Sequence, residues 1–409
     1  MQLENFSQTQ QPDFASQQLL DTLQDIVNNV QIHSNFCIRH PNYKPLELPE
    51  EVVVHFQQMP ADIQNKYLSL QLRSFLYGIY YNGSMRAVLA PDADSAGLAL
   101  YQDLENNTHL GVDIAFYEQL HSCNGGTGYF DPGWYVVRQE SDRTFAVTKG
   151  GLTLRIEPEK HLQLAEKVAV GELVAIRMPR NLVQSGFYVA VGNAGLRSHS
   201  HPDRKPELVR IYFNFSPEGA VAVMGSLTRE LNDISIPFHF KTLYNPGEYR
   251  RHDSGVLYFE KSNYEAVRQV LESVYAETKA HFNADVPLFT KFLAPGLGLA
   301  EEPDSKFADQ ESFGMNRCQI VANGLLEAWH SVDDSPEARM TSILQQFSVL
   351  GVELLRSYLN ANSLDIYTQI KFWWQLPLMG EALPAGEDCI LQYIIKHTLR
   401  GNSNDYSKK

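Results

Sequence analysis

Along the first third of the chain the apolar residues fall at helical spacing. Leu20, Leu23, Ile26, Val27 and Val30 line one face of an opening helix. A proline-rich link follows (Pro41, Pro45, Pro49). Tyr67, Leu70, Leu72, Phe75, Leu76, Ile79 and Tyr80 then mark a helical run over 60–81, and a further run covers 93–119. The period changes after that. Residues 124–133 are a turn-rich loop. Trp134–Arg138, Thr144–Thr148 and Leu152–Ile156 are short β-rich runs separated by polar turns, a meander, with two more β runs at Leu173–Met178 and Phe187–Val191.

The clearest pattern lies between 208 and 293. Leu208–Phe215 alternates as a strand, with Arg210, Tyr212 and Asn214 on one side and Ile211, Phe213 and Phe215 on the other. Ser216 can cap a helix and Pro217 suits its first turn. Val221, Met224, Leu227 and Leu231 continue that helix to about 233. Ile236–Leu243 and Ser254–Phe259 read as strands. A second helix carries Tyr264, Val267, Leu271, Val274 and Tyr275 on one face, and Val286–Phe292 reads as a fourth strand. The order β-α-β-β-α-β is the split arrangement of a ferredoxin-like sandwich, with two helices on one face of the sheet. The fold class is therefore α+β. It divides into a helical N-terminal region over 1–120, a meander and βαββαβ region over 121–330, and a helical C-terminal extension over 331–409.

Charge narrows the partners. Lys and Arg total 34 against 48 Asp and Glu, a net −14, and such a field repels nucleic acid and anionic lipid. No stretch of about 18 residues is free of polar or charged interruption, and the first residues carry neither a basic residue nor an apolar run of signal-peptide type. A cytoplasmic protein with no nucleic-acid and no membrane partner is expected. Cys37, Cys123, Cys318 and Cys389 are far apart with no CxxC pair, which fits reduced thiols.

Any anion must then be held by a local cluster of cations. If the polar sides of the strands share a face, Arg210, Tyr212, Asn214, His239, Lys241 and Lys291 converge there; taken singly, each is a solvated strand residue. Several cations on an aromatic-backed face suggest a bound phosphate. Gly296 and Gly298 allow close backbone approach to a ligand, although a plain tight turn is the commoner use. Arg317 sits in the first turn of a helix opened by Ser312, where a cation opposes the helix dipole unless an anion is near. That anion could be a ligand, or Glu311, Glu301 or Glu302. His199 and His201 lack a third ligand and read as solvated loop.

Several segments together resemble the HopA-type type III effector family. They are Val209-Arg-Ile-Tyr-Phe-Asn-Phe-Ser-Pro-Glu-Gly219, Phe238-His-Phe-Lys-Thr-Leu-Tyr-Asn245 and Tyr249-Arg-Arg-His-Asp253. Pro287-Leu-Phe-Thr-Lys-Phe-Leu-Ala-Pro-Gly-Leu-Gly-Leu-Ala-Glu301 and Ser312-Phe-Gly-Met-Asn-Arg317 carry it further, and Asn124-Gly-Gly-Thr-Gly-Tyr-Phe-Asp-Pro-Gly-Trp134 looks like the family's loop before its β-rich part. The resemblance covers roughly residues 65 to 330. It implies a phosphoserine/phosphothreonine lyase of the class V lanthipeptide and thioamitide type. Such an enzyme eliminates phosphate from a precursor peptide phosphorylated by a cognate Ser/Thr peptide kinase, leaving dehydroalanine or dehydrobutyrine.

Such an elimination needs a base for the Cα proton, a charge clamp for phosphate and an acid. The resemblance and the strand pattern together assign Lys241 as base, with Lys291 as rival, and His239 as acid. Arg210 and Arg317 become the phosphate clamp, assisted by Lys291, with Tyr212, Asn214 and Arg251 as further contacts. No metal or organic cofactor is needed, because phosphate leaves readily once its charge is neutralised. Two other classes stay open: a non-catalytic phosphopeptide- or kinase-binding module, and a host-targeted effector.

Overall fold

The computed structural model describes residues 14–93, 108–109, 111–163, 168–195, 207–331 and 333–370. The N-terminal part begins with helix α1 (Phe14–Asn29), whose Leu23, Ile26 and Val27, with Val30 just past its end, are buried as their spacing requires. Where a proline-rich link was expected, the chain makes a small antiparallel sheet of β1 (Gln31–His33), β2 (Cys37–His40) and β3 (Tyr43–Leu46). Pro45 sits in β3, an edge strand, where its missing N–H costs no ladder bond.

Helices α2 (Glu50–Phe56) and α3 (Ala61–Leu76) follow, and α3 runs into a π-turn over Tyr77–Tyr81. The helical run expected over 93–119 falls largely outside the described residues. What is described there is a two-strand ladder, β4 (Thr108–His109) with β5 (Val112–Asp113), and helix α4 (Ile114–Cys123), capped by the Asp113 carboxylate accepting from Phe116 N–H.

The meander is present: β6 (Tyr129–Gln139), β7 (Phe145–Lys149) and β8 (Leu152–Ile156) pair in succession. After the short helix α5 (Pro158–His161), β9 (Leu173–Met178) pairs with the other side of β6, giving the order β8-β7-β6-β9. This sheet has its own core of Trp134, Val136, Phe145, Val147, Ile156, Val174 and Ile176.

The larger sheet has seven strands. They are β10 (Asn181–Gln184), β11 (Phe187–Val191), β12 (Leu208–Phe213), β13 (His239–Leu243), β14 (Gly255–Glu260), β15 (Lys291–Ala294) and β16 (Leu297–Glu301). Helix α6 (Pro217–Asp233) links β12 to β13, and α7 (Tyr264–Thr278) follows β14. The sheet order is β10-β11-β13-β14-β12-β16-β15, antiparallel throughout. Its centre, β13-β14-β12-β16, has the split βαββαβ arrangement, and the class is α+β.

One strand differs from expectation. Residues 287–290 form a turn, with Phe289 at φ 69°, and the strand beside β12 is β16, after the β15–β16 hairpin. Gly296 makes that hairpin turn at φ +72°, where a Cβ would come 2.4 Å from the Asn283 carbonyl oxygen. The tight-turn reading of this glycine is the one realised.

Both faces of β12 are buried, because two different layers cover them. Val209, Ile211 and Phe213 face the α6–α7 side; Phe213 meets Phe282, which in turn packs on Tyr275 of α7. Ser216 caps α6 by accepting from Gly219 N–H, with Pro217 in the first turn, as the sequence predicts. On the opposite face, helix α8 (Phe313–His330) and the π-turn close over Tyr212, whose ring meets both Phe313 and Tyr81. Helix α9 (Pro336–Val349) packs on α8 and α1. Residues beyond it line the sheet's β15 edge, where Ile370 N–H donates to the Leu293 carbonyl. No helix among the described residues is long and apolar enough to cross a membrane.

The contact between α8 and the π-turn leaves no room for a side chain at Gly314, where a Cβ would stand 2.3 Å from the Tyr81 ring. Gly314→Ala should destabilise the fold by about 1–3 kcal/mol through overpacking, despite the better helix propensity of alanine. Urea denaturation reads this directly; an unchanged midpoint would mean that the two elements do not pack as described.

Candidate functional site

Register places the cationic residues in two adjacent rows on the face away from α6 and α7. His239 lies opposite Tyr258, and Tyr258 opposite Arg210; one step along, Lys241 lies opposite Val256, and Val256 opposite Tyr212. Side chains directly opposite in an antiparallel pair share a face. Arg210, Tyr212, His239 and Lys241 are therefore brought together as their alternation predicted.

Above these rows, where α8 stops short of β13, there is a cavity of about 430 Å³. Arg210, His239, Lys241 and Tyr258 form its floor, Leu182 and Val189 flank it, and the loop after β16 brings Glu302, Lys306 and Glu311 to its rim. The Arg210 guanidinium and the Lys241 ammonium both lie against the Tyr258 ring, 5.1 and 5.3 Å from its centroid. Lys241 Nζ is also 4.5 Å from the centroid of Phe187. Such contacts are worth roughly 0.5–2 kcal/mol to a cation. Among the described residues, no carboxylate lies within ion-pair distance of Lys241.

Arg210 is different. It is buried and pairs closely with Glu302, which also accepts from Lys306 at 2.6 Å. Burial works against the Arg210 charge, but Tyr212, Tyr258 and Glu302 around it outweigh that and hold its pKa above the ordinary value. The Tyr212 hydroxyl is buried beneath the cavity beside Arg210, and burial pushes its pKa up to about 12.

Four other expected residues are elsewhere. Arg317 is 2% exposed and does not reach the cavity. Its Nε donates to the Ser357 carbonyl at 2.7 Å, one terminal nitrogen to Leu359 O at 2.9 Å and the other to Asn316 Oδ1 at 2.5 Å. Burial pushes its pKa down to about 10. The oxygens that balance this arginine are two main-chain carbonyls and the Asn316 amide, so its place near a helix start signalled a structural clamp and not a convergence with Arg210.

Lys291 lines a separate cavity of about 860 Å³ between α1 and the 285–292 turn. There it is paired with Asp365 at 2.8 Å and with Tyr358. That cavity is the larger of the two, but its basic side chains are less concentrated: Arg356 shares the Asp365 carboxylate with Lys291, and burial lowers the pKa of His252. Asn214 ties the end of β12 to the Asp285 carbonyl and to Asn283. Arg251 forms a two-pronged pair with the buried Asp253.

The loop Gly125–Gly128 is anchored through Gly125 N–H to Thr228 on α6. His199, His201 and Cys389 lie outside the described residues, whereas Cys37, Cys123 and Cys318 are free thiols. Sequence reasoning missed Tyr258, Phe187 and Lys306, and offered Glu302 only as a partner for Arg317, whereas it pairs with Arg210. Tyr258 was available from strand alternation with Val256. Lys306 carried no signal, because it is a lone cation in a polar loop.

Residues 178–359 match the model of the HopA1 effector protein family. Over this stretch the chain is similar to that family. Every residue lining the smaller cavity lies inside the stretch. Two solved effector structures are also similar, one from Pseudomonas syringae pv. tomato strain DC3000 at 18% identity and one from Pseudomonas syringae pv. syringae strain 61 at 14%. Each match covers 61% of this chain and 81% of the other, with a TM-score of 0.36. No curated protein matches the chain.

If Arg317 is a clamp, Arg317→Ala strands two buried carbonyls at about 1–3 kcal/mol each. The variant should lose about 2–5 kcal/mol of stability in chemical denaturation. A variant as stable as the parent but defective in phosphate binding would return Arg317 to the site.

Proposed function

We propose that the chain is a phosphoserine/phosphothreonine lyase that eliminates phosphate from a kinase-phosphorylated precursor peptide, leaving dehydroalanine or dehydrobutyrine. The observation that carries this reading is the cavity within the stretch similar to the HopA1 family. Its floor sets a lysine without a carboxylate partner among the described residues beside a histidine and an arginine.

The chemistry follows from those positions. Lys241, as the neutral amine, takes the Cα proton of the phosphorylated residue. The electron pair forms the Cα–Cβ double bond, and the Cβ–O bond breaks. The leaving phosphate takes the bonding electrons and is met by Arg210, while His239 supplies a proton to it. Lys241 and His239 stand two apart on one strand, so the sheet ladder holds both at a set spacing, which catalysis requires. The aromatic rings of Tyr258 and Phe187 lie against the lysine.

Four of the residues assigned from sequence drop out of the mechanism: Asn214 is tied to Asp285 O and Asn283, Arg251 to Asp253, and two cations are engaged elsewhere. Arg317 is committed to main-chain carbonyls and Lys291 to Asp365, so the phosphate contacts reduce to Arg210 and the cavity rim. The peptide partner is phosphorylated, and a Ser/Thr peptide kinase supplies it.

Mass spectrometry of a phosphoserine peptide before and after incubation tests the activity. Elimination removes phosphoric acid from the peptide, hydrolysis restores the serine, and a binding module leaves the mass unchanged. Lys241→Ala should keep the fold and lose elimination by on the order of 10²–10⁴. Lys241→Arg should be as inactive, because guanidinium does not deprotonate near neutral pH. Near-parent turnover by Lys241→Arg removes Lys241 as the base, and an unchanged phosphopeptide with the parent protein removes the lyase reading.

A further inference from the structure

The cavity contains an anion of its own. Glu302 directly follows β16, and its carboxylate sits between two cations: Arg210 donates to Oε2, and Lys306 Nζ lies 2.6 Å from Oε1. Arg210 is 8% exposed, and a buried guanidinium must keep an anionic partner. The Glu302 main chain is held independently of this pair. Its N–H donates to the Leu208 carbonyl, and its own carbonyl accepts from Asn360 Nδ2. The side chain can therefore turn away from Arg210 by changing rotamer, with no movement of the strand end. Lys306, on the exposed loop after β16, can follow or stay.

We infer that Glu302 is a surrogate anion: it occupies the phosphate position between Arg210 and Lys306 in the free protein and yields it to the phosphate of the substrate. This makes Glu302 the residue that sets the charge selectivity of the site. The inference rests on the phosphopeptide reading above and deepens it. A phosphomonoester carries about −1.5 to −2 charge near pH 7 and three acceptor oxygens, whereas a carboxylate carries one charge. In place of Glu302, phosphate meets Arg210 and Lys306 and has charge left for Lys241, which lies against the same Tyr258 ring that Arg210 touches. A carboxylate ligand offers the cations only what Glu302 already gives them. Exchange is thus favourable for a dianion and close to neutral for a monoanion. An acidic chain surrounded by cellular carboxylates needs such a filter, because Arg210 and Lys306 without Glu302 would hold any of them.

Glu302→Gln keeps the shape and removes the charge. In the full-length variant, Arg210 lacks its anion, so the melting temperature should fall, and added acetate or inorganic phosphate should raise it again in a concentration-dependent way. Calorimetry at pH 7.5 should show acetate binding to the variant roughly tenfold or more tightly than to the parent, in line with a charge-assisted hydrogen bond regained. The preference for phosphate over acetate should shrink accordingly. A folded variant whose acetate affinity equals the parent's overturns the inference.

If the variant does not fold, the parent protein decides. In crystals soaked with inorganic phosphate, a phosphate seated against Arg210 with the Glu302 carboxylate turned away supports the exchange. Phosphate bound with the Arg210–Glu302 pair intact overturns it and leaves the phosphate-site reading in place. A parent protein that binds no phosphate in solution overturns both.

Discussion

The interior of the larger sheet depends on matching charge inside a low-dielectric core. Arg210 is carried by the central strand β12, and both faces of that strand are covered. Removing a guanidinium from water costs several kcal/mol unless an anion and hydrogen bonds accompany it, so Glu302 has to stand where it does. The neighbouring residue shows the same rule with signs reversed. Glu301 is 3% exposed, and it accepts from Lys261, Ser363 and Tyr367 and from the main chain at Asn360. Consecutive carboxylates at the end of β16 thus point to opposite faces of the sheet, and each is neutralised by a different set of partners.

Three of Glu301's partners, Asn360, Ser363 and Tyr367, come from the segment after α9. Arg317 reaches the carbonyls of Ser357 and Leu359, Lys261 reaches Ser363 and Leu364 O, and Lys291 reaches Asp365. Three buried or half-buried cations from three elements fasten this irregular stretch against the sheet. Apart from the 3-10 turn Leu354–Arg356, the described part of this stretch has no helix or strand, so its main-chain carbonyls need other donors, and cationic side chains satisfy those of Ser357, Leu359 and Leu364. The same arrangement withdraws Arg317 and Lys291 from any ligand. The cationic cavity remains where this belt ends, over β13 and β14, with Lys241 and His239 on its floor.

What the sequence determined follows from local rules. The change of period from helical to alternating set out the meander and the strands read at 208–215 and 254–259, which the structure has at 208–213 and 255–260; Ser216 and Pro217 marked the start of α6, and alternation put Arg210, Tyr212, His239 and Lys241 on one face. These depend on neighbours within a few residues, so one chain suffices to read them. What only the tertiary structure decided involves partners far along the chain. The apolar run from 286 to 299 contains a hairpin, and packing, not pattern, selected its second arm as the neighbour of β12. Pro45 was compatible with a link or an edge strand, and pairing with β2 settled it. Arg317 at a helix start was compatible with a ligand, a carboxylate or a carbonyl, and the chain after α9 supplied the carbonyl. Local periodicity specifies which way a side chain points from its own backbone, whereas the identity of the group it meets is fixed by burial and charge neutralisation across the whole fold.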